Sequence, residues 1–120
     1  MTSSASSGPQ EPFTRISVEQ AWERVQKEGA VVVDVRNPDE WVTGHVKGAI
    51  HIPVEDVLAR IDELPTDQNL LFICAQGVRS ALACEMAAAM GRSSDKLFNI
   101  EEGTGAWINH NFPTNYNDEP

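Results

Sequence analysis

Basic side chains are scarce in this sequence: nine Lys and Arg stand against eighteen Asp and Glu in 120 residues, a formal net charge of −9. Like charges repel, so neither nucleic acid nor an anionic membrane surface is expected as a partner. Any pocket for an anionic substrate must be assembled from backbone groups and a few arginines. Long apolar runs are also missing, with none near the ~20 residues that cross a bilayer. The start from Met1 to Ser7 lacks the basic segment and apolar stretch of a secretory signal. The expected location is the cytoplasm. Cysteine is limited to Cys74 and Cys84. Two residues make no disulfide framework, and in a reducing compartment both are expected as free thiols. His45 and His51 stand apart from any cysteine pair, so no metal and no cofactor is expected.

What is present is patterning. The length suits one domain and is too short for two. Residues 1–12, small and polar with Gly8, Pro9 and Pro12, are expected to be a disordered tail; 13–114 form the domain and 115–120 a short C-terminal tail. Ser17 and Gln20 have the spacing of a capping box, and Val18, Ala21, Trp22 and Val25 recur at helical period, predicting a helix over 18–28. Ala30 to Val35, β-branched but for Ala30 and Asp34, and the wholly apolar Leu70 to Ile73 are runs that suit strands covered on both faces. Ala49–Ile52 and Lys96–Ile100 predict two more strands. Between them lie a helical turn over 39–42, a helix marked by Val54, Val57, Leu58, Ile61 and Leu64, a helix over 80–90, and a turn over 106–108. Strands alternating with helices imply an α/β fold whose central, mainly parallel sheet is flanked by helices on both faces.

Cys74 follows directly on the strand of Leu70–Ile73, at the end where open α/β sheets collect ligands. The next residues are Ala75, Gln76, Gly77, Val78, Arg79 and Ser80, and then a helix begins. Gly77 permits the positive φ that turns N–H groups inward into an anion-binding nest above a helix N-terminus. A thiolate in that field is a strong nucleophile without a histidine base beside it. Arg79 adds positive charge at the loop's end.

Three separated segments also resemble the rhodanese, or thiosulfate sulfurtransferase-like, single-domain family. They are Val33–Arg36 with Glu40–Trp41 and Gly44–Pro53, the loop Cys74–Ser80, and Gly103–Trp107. The resemblance covers about residues 13 to 114. It implies a small α/β domain with a persulfide-forming cysteine at 74 and a substrate cradle running from Cys74 to Arg79, with Ser80 beside it. Related phosphatases and arsenate-handling proteins have a loop one residue longer, so the length here disfavours phosphate. Some thiosulfate-using members carry basic residues after the cysteine, where this chain has Ala75 and Gln76. The implied donor is thiosulfate or a persulfide, on a small thiol or on a thioredoxin-like or persulfide-bearing protein; the acceptor is a thiol or cyanide. A monomer is the default expectation. The competing reading is a non-catalytic module for partner binding or for redox or sulfide sensing.

Other positions have plainer readings. Asp34 and Arg36 alternate on a buried strand and predict an ion pair, in support of the active-site loop. Cys84 reads as a core thiol, Trp41 and Trp107 as core or pocket wall, and Glu101 and Glu102 as solvated loop residues.

Overall fold

The computed structural model describes residues 11–120. The expected N-terminal tail therefore lies, for residues 1–10, outside the described residues. The elements run β1 (Thr14–Ile16), α1 (Val18–Glu28), β2 (Val31–Asp34), α2 (Pro38–Trp41), β3 (His45–Val46), β4 (Ile50–His51), α3 (Val57–Arg60), β5 (Leu70–Ile73), α4 (Val78–Ala89), β6 (Leu97–Ile100), α5 (Gly103–Asn109) and β7 (Thr114–Asn115). The main sheet has five strands in the order β1-β6-β5-β2-β4, and every pairing in it is parallel. A separate two-stranded antiparallel ribbon joins β3 to β7. None of the described helices is long and apolar enough to cross a membrane.

The apolar character of the central strands is explained by what covers them. Successive side chains of a strand point to opposite faces. Leu70 and Phe72 of β5 join Val33, Leu97, Val57, Ile61, Ala83 and Ala87 on the side of α3 and α4. Leu71 and Ile73 join Val32, Phe98, Ile100, Ala21 and Trp107 on the side of α1 and α5. One strand thus supplies both cores, and no position along it faces water.

The first helix keeps its expected span because its capping box forms: Gln20 N–H donates to Ser17 Oγ at 3.1 Å, and Ser17 N–H donates to Gln20 Oε1 at 2.9 Å. The segment 54–64 differs from its expected single helix. Only Val57–Arg60 is α-helical, between 3₁₀ turns over Val54–Asp56 and Ile61–Glu63. The reason is in the spacing. Val54 and Val57, like Ile61 and Leu64, are three apart, and a 3₁₀ turn stacks positions i and i+3. Three further elements give little sequence signal: β1 has three residues, and β3 and β7 have two each. Residues 115–120 run back over the domain, where Asn117 N–H donates to Val42 O at 3.0 Å and the Glu119 carbonyl meets the His45 ring.

At the end of β2 the Arg36 guanidinium forks onto the Asp34 carboxylate at 3.0 and 2.8 Å, and both residues are buried. Arg36 Nη2 also donates to the Gly44 carbonyl at 2.8 Å, tying β2 to the turn before β3. Among the described residues neither side chain hydrogen-bonds the loop 74–80; the pair braces the neighbouring corner. A buried charge left without its partner is strongly destabilising. Arg36→Met is therefore expected to cost about 3–5 kcal/mol in urea unfolding. Arg60→Met, which removes only an exposed pair with Glu63, is expected to cost about 1 kcal/mol or less. Equal losses in the two variants would refute this account.

Candidate active site around Cys74

Cys74 leaves the carboxyl end of β5 with only 1% of its surface exposed. Its sulfur sits at the floor of the loop that leads into α4. Gly77 caps that helix at φ +86, and the turn aims its N–H at Cys74 Sγ, 3.1 Å away. Ser80 N–H, in the first turn of α4, reaches the same sulfur at 3.3 Å. Ser80 Oγ lies 3.2 Å from it. Ala75, Gln76 and Val78 are exposed and form the rim. The helix begins at Val78, two residues before the expected start, because the left-handed Gly77 is itself the cap.

Burial pushes the Cys74 thiol up. The Ser80 hydroxyl, when it turns to the sulfur, and the N–H groups of Ser80, Gln76 and Gly77 outweigh that and hold the thiol below its ordinary value. Among the described residues Cys84, in the interior of α4, has no such donors, and burial pushes its thiol far up. A core role for Cys84 fits that environment.

Two neighbours to which the sequence reading assigned no role at the site hold the loop in place. Thr104 donates to the Cys74 carbonyl twice, from its N–H at 3.0 Å and its hydroxyl at 3.2 Å. Asn99 donates through Nδ2 to the Gly77 carbonyl at 3.1 Å, and it is fully buried. Asn99 had a readable signal: it is the one polar residue in Leu97–Ile100, a strand otherwise wholly apolar. Thr104 had none. The close approach that brings α5 under the loop depends on Gly103, where an added Cβ would stand 2.0 Å from the Ala75 carbonyl oxygen.

Arg79 does not point to the sulfur as a free cation. Its guanidinium forks onto the Glu40 carboxylate of α2 at 2.7 and 2.9 Å. The pair bridges the loop to α2 and leaves little net charge at the rim. Glu101 ion-pairs with Arg15 at 3.6 Å, and Glu102 accepts from Val18 N–H at 2.8 Å, so both acidic loop residues have partners although they are exposed. Trp41 stacks on His45 and His51 at centroid distances of 3.4 and 4.6 Å, Trp107 is core, and His110 is exposed. Among the described residues no group of three or more His, Cys, Asp and Glu is placed to hold a metal ion.

Comparison with known proteins gives a consistent result. A family model described as "Rhodanese-like domain" matches residues 17–110. A protein of Pseudomonas putida named thiosulfate sulfurtransferase GlpE is 36% identical over 95 residues, 79% of this chain and 84% of that protein. Its namesake from Actinobacillus pleuropneumoniae is 29% identical over 103 residues, 86% of this chain and 94% of that one. The crystal structure of a rhodanese-related protein from Thermoplasma volcanium superposes with a TM-score of 0.76 at 28% identity, covering 88% of this chain and all of that one.

Two outcomes follow from the geometry. Alkylation of the native protein at neutral pH is expected to modify Cys74 and spare Cys84, read by peptide mass after digestion; equal labelling would contradict the difference in their surroundings. Glu40 is held at about 2, from an ordinary 4.5, chiefly by hydrogen bonds from Arg79. A depressed carboxyl stabilises the fold fully above its unfolded value and ceases to do so as pH falls through its folded value. Wild type should therefore lose stability more steeply than Glu40→Gln between pH 4.5 and about 2, and denaturant midpoints that fall in parallel would show that the pair contributes nothing.

Proposed function

The chain belongs to the rhodanese-like sulfurtransferase family, and on that premise we propose that it moves a sulfane sulfur from thiosulfate or a persulfide donor to a thiol or cyanide through a persulfide on Cys74. The observation that carries the reading is the convergence of the Gly77 and Ser80 N–H groups on a single buried sulfur at 3.1 and 3.3 Å. Such donors stabilise an anion without a separate base.

In the first half-reaction the Cys74 thiolate attacks the outer sulfur of the donor. The donor's S–S bond breaks and its electron pair leaves with sulfite, or with a thiolate when the donor is a persulfide. Cys74 now bears one extra sulfur, whose negative charge lies in the cradle of loop residues Ala75, Gln76, Gly77, Val78 and Arg79, with Ser80 at its base. In the second half-reaction the acceptor thiolate or cyanide attacks that outer sulfur, the new S–S or C–S bond forms, and the Cys74 thiolate returns. The cycle is ping-pong. In this reading Arg79 acts as half of a nearly neutral pair with Glu40, so its charge steadies the loop more than it attracts a dianion. Asp34 and Arg36 act further back, by fixing the corner from which α2 approaches. The catalytic unit is the domain of residues 13–114, working as a monomer in the cytoplasm, where a reducing environment keeps both thiols free.

Intact mass tests the reading. Reduced protein incubated with thiosulfate, or with a small persulfide, is expected to gain one sulfur atom and to lose it on addition of cyanide or a thiol, while Cys74→Ser gains none. A chain that gains no sulfur from either donor would be a binding or sensing module instead.

A further inference from the structure

One buried polar side chain beside the sulfur takes no part in the cycle above. Asn99 is fully buried in β6, and its amide has a determined orientation. The Gly77 carbonyl can only accept, so the nitrogen end of the amide faces it, at 3.1 Å. The oxygen end then faces Ser80 Oγ at 2.5 Å, and an amide oxygen can only accept. The single hydroxyl hydrogen of Ser80 must therefore point at Asn99. What Ser80 presents to Cys74 Sγ, 3.2 Å away, is a lone pair.

We propose that Asn99 is a positioning residue that draws the Ser80 hydroxyl proton away from Cys74, so that the resting cysteine is held as a thiol donating its S–H to Ser80 Oγ. This deepens the sulfurtransferase reading and rests on Cys74 being the reacting sulfur. A lone pair facing the sulfur suits S–H and opposes a thiolate. The thiolate gains the hydroxyl as a donor only if that hydroxyl swings from Asn99 Oδ1 to Sγ, which leaves a fully buried acceptor without a partner. The two bonds compete for one proton. The hydroxyl lowers the thiol only in the orientation that Asn99 opposes, and the backbone N–H groups of Gly77, Ser80 and Gln76 are the donors that remain on the resting sulfur. In the persulfide the negative charge sits on the outer sulfur, Sγ carries no proton, and the hydroxyl stays on Asn99. The arrangement thus disfavours the bare thiolate and leaves the sulfur-loaded state alone. The other charged groups around the loop are already paired: Arg79 with Glu40, Asp34 with Arg36, and Glu101 with Arg15.

The pH profile of Cys74 alkylation by iodoacetamide in the full chain tests this, for wild type, Asn99→Leu, Ser80→Ala and the double variant. Asn99→Leu frees the hydroxyl for the thiolate and is expected to move the profile to lower pH, with alkylation about tenfold faster at a fixed pH on the acid side. Ser80→Ala is expected not to move it to higher pH, and Asn99→Leu is expected to add no shift in the Ser80→Ala background. A shift to higher pH in Ser80→Ala would make Ser80 a donor to the resting sulfur and overturn the proposal. So would an Asn99→Leu shift that is absent, or that is the same with and without Ser80. If Asn99→Leu does not fold, the sign of the Ser80→Ala shift decides alone. Alkylation involves no sulfur transfer, so these outcomes stand apart from the persulfide cycle: a protein that shows the shifts but gains no sulfur from any donor keeps this proposal and loses the other.

Discussion

A left-handed residue at position 77 turns the backbone of the loop inward, and the neighbouring chain has to fit around that turn. An added Cβ on Gly77 would stand 2.6 Å from the Glu101 carbonyl oxygen, so the end of β6 lies against the loop with no room for a side chain. Gly103 makes a second such approach, to the Ala75 carbonyl. The two contacts are backbone on backbone, which is why the N–H groups can reach the sulfur at hydrogen-bond distance. Side-chain identity at Ala75, Gln76 and Val78 matters less to this geometry, since all three face outward.

The acidic composition does not oppose a negative charge at Cys74, because the groups facing its sulfur are dipoles. Backbone N–H groups at a helix start stabilise negative charge without altering net charge. The ionised groups nearby are matched pairwise: Arg79 with Glu40 across the loop, Arg36 with Asp34 behind it. A surplus of carboxylates elsewhere on the surface therefore does not set the potential at the sulfur, where short-range donors dominate.

The sequence made the layered fold legible wherever burial is continuous. Val31–Asp34 and Leu70–Ile73 could be recognised as central strands from the consecutive apolar residues Val31–Val33 and Leu70–Ile73, and the capping box of Ser17 and Gln20 marked the first helix to the residue. Short elements escaped, because a ribbon of two-residue strands such as β3 and β7 has no period to detect. For the site, the position of Cys74 between strand and helix could be read locally. The partner of Arg79 could not: Glu40 lies 39 residues away in sequence and is brought in by tertiary packing. The same holds for Thr104 beneath the cysteine carbonyl, 30 residues downstream.

That separation has a consequence for the newly made chain. Everything that shapes the surroundings of Cys74 from outside its own loop on the sheet side, Asn99, Gly103 and Thr104, lies in the part of the domain synthesised last. A ribosome adding about 5–20 residues per second exposes the cysteine seconds before those groups emerge. During that interval the loop of Cys74 lacks the contacts that Asn99, Gly103 and Thr104 make with it in the folded domain. The support of the loop is thus completed only at the close of synthesis, and truncation after α4 would yield a fragment that contains Cys74 and its loop but none of Asn99, Gly103 and Thr104.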